Sequence, residues 1–257
     1  MKSITSRDNP QVKLWKRLAQ ETTAYRKTEQ FWLEGDHLCR AAIERGVRPL
    51  QVVMTESFQV EQGEKWMDLT DQVFVLPDAL FDSLSGLESP ARMGFVVAWG
   101  AEKQVLPDQP TVVLDRLQDA GNVGAILRCA SAFGYRQVLA VKGTAALWSP
   151  KVLRAGMGAH FGLKLLESVG ESDVAALQVP ILTTSSHEGP FLHEMLRRGD
   201  LPSPCAWVFG HEGQGVSEAL MAMARHSVRI AQPGGEESLN VATAAAICLH
   251  ASASVGL

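Results

Sequence analysis

Three segments in the second half of the chain place glycine, amide, carboxylate and guanidinium groups where a ligand could be held. They are L-D-R-L-Q-D-A-G-N-V-G-A-I-L-R-C-A at residues 114–130 (motif 1), V-F-G-H-E-G-Q-G-V-S at residues 208–217 (motif 2) and I-A-Q-P-G-G-E-E-S-L-N-V-A-T-A-A-A at residues 230–246 (motif 3). Each passes from an apolar, strand-like run through glycine and polar residues into a helical pattern. Glycine permits sharp turns, and helix N-termini offer N–H groups to polar or anionic ligands. Three such turns predict one composite binding site.

Taken singly, the polar residues of these motifs also have structural explanations. Asn122 is suited to cap the N-terminus of a helix, and so is Ser238 in front of the last helix. Glu212 stands between glycines, where a carboxylate most often faces solvent. Gly210 has the strongest physical case, because a strand end without a side chain lets the backbone approach a ligand closely.

Other catalytic signatures are absent from the sequence. It contains no G-x-x-x-x-G-K-[ST] loop, no H-E-x-x-H zinc motif and no G-x-S-x-G nucleophile elbow. The turn of motif 1 gives only G-x-x-G, a poor match to the dinucleotide-binding pattern. His211 stands beside Glu212, but a lone histidine is more often structural. The sequence therefore favours neither a nucleotide hydrolase nor a zinc hydrolase, and it makes a nicotinamide-dependent oxidoreductase only a secondary alternative.

The elements that must position these turns alternate between strands and helices, which predicts an α/β layered protein. Short apolar strands separated by crossover-length segments predict a buried parallel sheet in the second half. Asp36 and Asp78 are expected to cap helices in the first half. The predicted strands are 31–34, 51–54, 73–76, 93–99, 111–114, 138–141, 163–166, 181–184, 206–209 and 227–230, and the predicted helices are 9–20, 36–43, 79–84, 123–133, 151–157, 172–177, 217–223 and 241–252.

Composition indicates a globular protein with one large or two medium domains, because 46% of its 257 residues are hydrophobic and 20% are charged. Residues 101–110 combine charge with two prolines, which predicts a linker. The run 241–257 is too short and too weakly apolar to span a bilayer, and we expect a buried or interfacial helix there. Four dispersed cysteines in apolar surroundings predict reduced, buried thiols in a cytosolic protein; they are Cys39, Cys129, Cys205 and Cys248.

The net charge of −4 argues against a nucleic-acid partner, because binding to phosphates usually leaves a basic imbalance. The charge is unevenly distributed, however. Residues 1–50 hold ten Lys and Arg against six Asp and Glu, whereas residues 51–110 hold three against ten. A solvated helix face explains the N-terminal basic cluster as well as a binding site does. Charge alone therefore does not decide the partner.

The combination of N-x-G-x-x-x-R in motif 1, G-x-E-G-x-G in motif 2 and E-S-L-N in motif 3 resembles the SpoU (TrmH-like) RNA 2′-O-ribose methyltransferases of the SPOUT superfamily. The resemblance covers roughly residues 111–250, with weaker similarity reaching back to Ile4. It implies a SPOUT domain with a parallel sheet and a deep trefoil knot at residues 111–257. It also implies a smaller αβα RNA-binding domain at residues 1–100, joined by the linker at 101–110.

The resemblance implies S-adenosylmethionine-dependent 2′-O-methylation of a ribose in structured RNA by a cytoplasmic homodimer. Ribosomal RNA is the preferred substrate and transfer RNA the close alternative. A non-catalytic RNA-binding or ribosome-assembly factor of the same fold is the alternative from another class. No metal is expected, because the departing thioether is neutral and needs no Lewis acid. No membrane partner is expected either.

The matching motif positions assign roles to individual residues. In the family, the Asn and Arg of motif 1 face the target nucleotide, and the Arg is usually said to activate the 2′-hydroxyl. A guanidinium, with a pKa above about 12, is effectively never deprotonated in proteins. We therefore favour Arg128 as an electrostatic and positioning group. The catalytic set is Asn122, Arg128, Glu212, Ser238 and Asn240; the cofactor set is Gly210, Ile230, Leu239, Thr183 and Ser185; the RNA-binding set is Lys13, Arg17, Lys27 and Arg128.

Two positions depart from the family pattern. Ala120 stands where the family favours proline, which should loosen a turn slightly. In R-A-G-M-G-A at residues 154–159, Gly156 replaces the usual serine. That change removes a hydroxyl from the expected substrate side, so it bears on substrate identity more than on chemistry.

Overall fold

The computed structural model describes residues 1–86, 90–185, 187–234 and 238–255. They form two compact units, the first comprising Met1–Gly100 with Trp148–Phe161 and the second Ala101–Leu147 with Gly162–Leu257. The expectation of one continuous second domain at 111–257 therefore needs a correction, because Trp148–Phe161 belongs to the first unit.

The strands confirm the predicted alternation of strands and helices, and most lie within one or two residues of their predicted limits. The exception at the start is β1, which the pattern did not predict. The strands are β1 (Lys2–Ser3), β2 (Gln30–Glu34), β3 (Gln51–Thr55), β4 (Val73–Leu76), β5 (Met93–Ala98), β6 (Thr111–Asp115), β7 (Gln137–Val141), β8 (Lys164–Val169), β9 (Ile181–Thr184), β10 (Ala206–Gly210) and β11 (His226–Val228).

The helices include three that the sequence pattern did not predict: α2, α4 and α9. The helices are α1 (Pro10–Gln20), α2 (Ala24–Thr28), α3 (Asp36–Glu44), α4 (Glu56–Gln62), α5 (Asp78–Asp82), α6 (Ala120–Ala132), α7 (Pro150–Gly156), α8 (Glu171–Ala175), α9 (Leu192–Arg198), α10 (Glu218–Met223) and α11 (Val241–Ser254). Short 3-10 helices follow α4 and α7.

The first unit is built on a mixed sheet in the order β1-β4-β3-β5-β2, in which β5 is antiparallel to both of its neighbours. Helix α1 forms because Asn9 caps it, Pro10 starts it, and Val12, Trp15 and Leu18 recur at helical spacing on its buried face. Trp15 is fully buried, and its indole N–H donates to Gln51 Oε1 at 2.7 Å.

Helix α7 completes the first unit by packing against β2 and α1. The Trp148 ring lies 4.8 Å from the ring of Phe31 and 5.3 Å from that of His160. Val152 and Leu153, on α7 itself, are buried. These contacts explain why the segment leaves the second unit: its apolar side chains find their partners in the first.

Two expected caps in the first unit are wrong. Asp36 is the first residue of α3, and Gly35, at φ +97°, holds the cap position. Asp78 is likewise the first residue of α5, after Pro77. The Asp78 carboxylate instead accepts hydrogen bonds from the hydroxyl and N–H of Ser57, so a neighbouring segment uses it.

The second unit is built on a fully parallel sheet in the order β11-β9-β10-β6-β7-β8. Every residue of β6 and β10 is buried, which explains why both strands are largely apolar; the polar residues of β6 stand at its two ends, Thr111 and Asp115. Helix α11 packs on α6 and β10, and Trp207 Nε1 donates to Ser252 Oγ at 2.8 Å. The α/β fold is confirmed, and α11 is a partly buried helix as expected.

The cysteines are all unpaired. Cys39, Cys205 and Cys248 are buried, whereas Cys129 is only partly so, contrary to expectation. Burial raises the pKa of each of the three buried thiols. They therefore stay protonated at neutral pH, as the sequence predicted for structural thiols.

Candidate functional site

The three motifs meet at the carboxyl ends of the parallel strands of the second unit, where α/β sheets place ligands. A cavity of about 350 Å³ opens there beside the ends of β9, β10 and β11 and the start of α11. Four of the residues predicted to bind a cofactor line it: Ser185, Gly210, Ile230 and Leu239.

Thr183 is the exception among the predicted cofactor residues. Its side chain is fully buried within β9, and its hydroxyl lies 2.9 Å from Ser227 Oγ in the neighbouring strand. Thr184, the next residue, lines the cavity instead. Successive side chains of a strand point to opposite faces, which explains why Thr184 lines the cavity and Thr183 does not.

A chain of hydrogen bonds connects one residue from each motif. Asn122 Nδ2 donates to Glu212 Oε1 at 3.2 Å, and Asn240 Nδ2 donates to Asn122 Oδ1 at 3.0 Å. The Oδ1 of Asn240 caps α11 by accepting the N–H groups of Ala242 and Thr243. The Glu212–Asn122–Asn240 chain thus holds three distant segments in a fixed relation, and both of its end residues line the cavity.

Glu212 is more than a solvent-facing loop residue. Its carboxylate accepts the N–H groups of Gln118 and Asp119, each at 3.2 Å, in addition to the Asn122 amide. Partial burial raises the pKa of Glu212, but the hydrogen bonds from its own N–H and from these donors outweigh burial, and the pKa lies below its ordinary value. The carboxylate is therefore ionised at neutral pH and joins motif 2 to the start of α6.

The start of α6 corrects the structural explanation offered for Asn122. Asp119 holds the cap position, and its Oδ1 accepts the Asn122 N–H at 2.7 Å. Because Asp119 caps the helix, the Asn122 side chain is not needed as a cap, and it forms hydrogen bonds with Glu212 and Asn240 instead. Ala120, where the family pattern has proline, is the first residue of the helix. Proline is favoured at that position but is not required there.

The turn of motif 2 explains Gly210 in a way that the sequence did not reveal. A Cβ at Gly210 would lie 2.1 Å from the carbonyl carbon of Gly215 and 2.2 Å from the nitrogen of Val216. The loop folds back onto its own first residue, and His211 Nδ1 accepts the N–H groups of Gly213 and Gln214. Glycine is therefore needed at position 210 for the loop itself to close.

Sequence reasoning missed Asp115, which fastens the far end of the same loop. Its carboxylate is buried at the end of β6, where it pairs with Arg116 Nε at 2.8 Å and accepts the Ser217 N–H at 2.6 Å. Burial raises the pKa of Asp115, but the hydrogen bonds from Arg116 and Ser217 outweigh burial and lower it. A carboxylate that directly follows the apolar run Val112–Leu114 was the signal that could have identified it.

Arg128 and Ser238 are the two catalytic candidates outside this hydrogen-bonded chain. Ser238 is exposed and lines the cavity. Arg128 is exposed on α6, six residues and roughly 9 Å along the helix from Asn122. Within the described part of the chain, its guanidinium makes no hydrogen bond or ion pair. Glu237 of the E-S-L-N motif lies outside the described residues.

The predicted RNA-binding residues Lys13, Arg17 and Lys27 lie in the first unit, on α1 and α2; Lys13 and Lys27 are exposed, and Arg17 is half-buried. Lys13 pairs with Asp8 at 3.1 Å, and Arg17 pairs with Glu21 at 3.0 Å. The charges of two of the three are thus offset locally.

Gly156 also lies in the first unit, on α7, and it does not line the cavity. A Cβ at this position would meet His160 Cε1 at 2.5 Å. His160 is buried, so a serine here would require its imidazole to move. Glycine at position 156, where the family pattern has serine, therefore fits the packing of the buried His160 ring against α7.

The described residues contain no cluster of His, Cys, Asp and Glu that could hold a metal ion. Across residues 1–86, 90–185, 187–234 and 238–255, no helix has both the length and the apolar character needed to cross a membrane.

Comparison with known proteins gives the following matches. Residues 109–250 match the SpoU rRNA Methylase family model, and residues 9–94 match the MRM3-like substrate binding domain. A 23S rRNA (guanosine(2553)-2′-O)-methyltransferase, RlmP of Bacillus subtilis, is 29% identical over 255 residues, covering 97% of this chain and 98% of that protein. An uncharacterized tRNA/rRNA methyltransferase of Synechocystis is 31% identical over 264 residues, covering 96% of this chain and 92% of its own. The crystal structure of an AdoMet-bound rRNA methyltransferase from Sinorhizobium meliloti superimposes with a TM-score of 0.84 at 26% identity, covering 99% and 98% of the two chains.

Proposed function

This chain belongs to the SpoU rRNA methylase family, and we propose that it transfers a methyl group from S-adenosylmethionine to a ribose 2′-hydroxyl of ribosomal RNA. The family resemblance inferred from the motifs is confirmed. The observation that carries the proposal is the Glu212–Asn122–Asn240 chain, which joins the three motifs at the edge of the cavity.

The walls of the cavity suit S-adenosylmethionine. Ile230 and Leu239 offer apolar side chains to the faces of an adenine ring, and Gly210 leaves the strand end without a side chain. When bound, S-adenosylmethionine supplies a methyl group on a sulfonium, whose departure leaves a neutral thioether. Ser185 and Ser238 add polar groups to the same wall. The S. meliloti relative is described as AdoMet-bound, which supports the assignment of this ligand.

The reaction forms a bond between the ribose 2′-oxygen and the methyl carbon while the carbon–sulfur bond breaks, and the hydroxyl proton must leave. Arg128 stays protonated, binds the target phosphate and orients the 2′-hydroxyl, and the proton passes to a phosphate oxygen or to water. Asn122 and Asn240 are held in place through Glu212 and present their amides to the substrate side. Alignment of this kind can lower a barrier by ~7–11 kcal/mol, so positioning supplies much of the rate.

Ribosomal RNA is the substrate that the relatives favour. RlmP of B. subtilis is named for 23S rRNA, and residues 9–94 match a substrate-binding domain. We assign RNA binding to the first unit and methyl transfer to the second, with residues 101–110 as the linker and the trefoil knot in the second unit. Transfer RNA is the second candidate, because the Synechocystis relative is described as a tRNA/rRNA methyltransferase.

Two other classes of function remain as alternatives. A non-catalytic ribosome-assembly factor would have no chemical reason to keep Asn122, Arg128, Glu212, Ser238 and Asn240 together. A nicotinamide-dependent oxidoreductase would bind a dinucleotide, which a cofactor titration would reveal.

The deciding experiment incubates the purified protein with S-adenosylmethionine and ribosomal RNA, or separately transfer RNA, from a strain that lacks its gene. Digestion and mass spectrometry then search for a new 2′-O-methylated nucleoside. We expect it in the ribosomal RNA. A signal in transfer RNA alone would overturn the assignment of ribosomal RNA as the substrate. Failure to bind S-adenosylmethionine would overturn the proposed enzymatic function.

We further propose that the protein is a cytoplasmic homodimer that associates through its second unit. Helices α9 and α11 form an apolar depression there, in which Leu196 and Ile247 are each 38% exposed despite their size. Large exposed apolar side chains that cluster in this way mark interaction surfaces. Light scattering should detect a dimer, and Ile247→Asp should shift it toward the monomer; a monomeric wild-type protein would refute the assignment.

A further inference from the structure

Gln232 is a residue of the cavity to which neither motif reasoning nor the proposed reaction gives a role. It follows Ile230 by two residues, in the segment between β11 and α11, and its side chain lines the cavity with Ile230 and Leu239. Its Oε1 is shielded from solvent, and among the described residues no donor lies within hydrogen-bond distance of that oxygen.

Three other polar side chains that line the cavity have acceptors that are already occupied. Ser185 Oγ accepts the N–H groups of His187 and Glu188, and His211 Nδ1 accepts two N–H groups of its own loop. Asn240 Oδ1 caps α11. Buried acceptors in folded proteins are nearly always paired, because leaving one unpaired is unfavourable. The Gln232 oxygen therefore indicates that the cavity receives a ligand with a hydrogen-bond donor at this point.

The neighbours of Gln232 restrict which donor this is. Val228, Ile230, Leu239 and Ala244 are apolar residues that line the same cavity as Gln232, and apolar side chains suit the flat face of a base. A charged ammonium group in such surroundings would require a carboxylate partner, whereas a neutral amino group is satisfied by an amide oxygen. An adenine ring presents both features together: apolar faces and a neutral amino group at its edge.

We propose that Gln232 is a specificity residue of the cofactor site, and that its Oε1 accepts a hydrogen bond from the 6-amino group of the adenine of S-adenosylmethionine. The inference rests on the proposed function, because it takes the cavity to be the S-adenosylmethionine site. It adds an interaction by which this chain distinguishes adenine from purines that lack the amino group.

The test measures binding by calorimetry, so that it does not depend on methylation. The full-length protein is titrated with S-adenosylhomocysteine and with its 6-deamino analogue, in which a hydrogen replaces the amino group. The variants are Gln232→Met, which removes the acceptor at similar length, and Gln232→Glu, which keeps an acceptor oxygen. Gln178→Met, at an exposed glutamine of the same unit outside this cavity, is the control.

We expect the wild-type preference for the amino-bearing ligand to fall about five- to tenfold in Gln232→Met, which is the range of one neutral hydrogen bond. The preference should persist in Gln232→Glu and in the control. If Gln232→Met weakens the binding of both ligands equally, the proposed hydrogen bond is overturned, while the proposed function stays intact. Failure of the wild-type protein to bind either ligand would overturn both.

Discussion

The predicted functional residues of the two units use their polar side chains in different ways. In the second, Asn122 is 90 residues from Glu212 and 118 residues from Asn240 along the chain, yet it hydrogen bonds to both at the edge of the cavity. In the first, Lys13 and Arg17 pair with carboxylates just before and just after their own helix, Asp8 and Glu21. Local ion pairs arise readily on any helix and contribute little. Polar contacts between distant segments require the whole fold to form, and here they coincide with the site.

Arg128→Ala should have the largest effect, because it removes from the second unit the cation assigned to the substrate. We expect methylation to slow about 10²–10³-fold, the usual effect of losing one group that stabilises developing charge. Cofactor binding should be unchanged, since Arg128 does not line the cavity. Single-turnover rates and calorimetry measure the two effects.

Arg136→Ala, which removes an exposed arginine from the same unit, is the control and should leave the rate unaltered. If Arg128→Ala methylates ribosomal RNA as fast as the wild type, Arg128 is not catalytic and the contrast between the units weakens.

Gly210→Ala tests whether the turn of motif 2 depends on the close approach of Gly215. The added Cβ should lower the free energy of unfolding by about 1–3 kcal/mol, the usual range for overpacking, and should weaken cofactor binding. Chemical denaturation and calorimetry report these changes. Gly100→Ala, at a position with nothing within 4 Å of a Cβ, should have neither effect. Unchanged binding in Gly210→Ala would mean that the turn does not shape the cavity.

Glu212→Gln tests the carboxylate at one end of the Glu212–Asn122–Asn240 hydrogen-bonded chain. An amide can no longer accept all the N–H groups that the carboxylate accepts, and we expect the methylation rate to fall about tenfold, or ~1.4 kcal/mol. Because the pKa of Glu212 is lowered in the folded protein, its contribution to stability is present at neutral pH and is lost as the pH falls through that lowered value.

Thermal unfolding of the wild type and of Glu212→Gln from pH 7 down to pH 3 measures this dependence. The difference between the two midpoints should narrow as the pH falls. A difference that is constant across the range would show that the ionised carboxylate is not what stabilises the loop.

Neutralising the basic residues of the first unit should have the smallest effect. If this surface binds RNA, the change weakens binding and flattens its salt dependence, by up to ~0.9 in the logarithmic slope for each phosphate that is no longer neutralised. Lys13 and Arg17 already have carboxylate partners, so Lys27→Gln should reduce the slope more than Lys13→Gln. RNA titrations across a salt series measure the slope, with Lys103→Gln as the control. An unchanged slope in all variants would reject this RNA surface.

The sequence predicted the strands well, because buried parallel strands are short apolar runs with clear limits. The limits of β4 and β9 match the prediction. Residues that line the cavity were predictable where a motif fixes the position, as for Gly210, Ile230 and Leu239. They were not predictable where register decides, because Thr183 and Thr184 are chemically alike and point to opposite faces. The need for glycine at position 210 depends on how the motif 2 loop folds back on itself, and the role of Asp115 depends on its contact with the distant Ser217; periodicity contains neither.

The placement of Trp148–Phe161 in the first unit has a consequence for how the protein is made. The chain passes between the units three times, after residues 100, 147 and 161. When residue 100 has been synthesised, the first unit still lacks Val152, Leu153 and the partner of Phe31. The ribosome must add 61 more residues before residue 161 is available, which takes roughly 3–12 s at ~5–20 residues per second. During that interval, strands of the second unit emerge before the first unit is complete. A fragment that ends at residue 100 should therefore expose apolar surface. To express the two units as separate proteins, the segment that contains α7 would have to be joined to the fragment of the first unit.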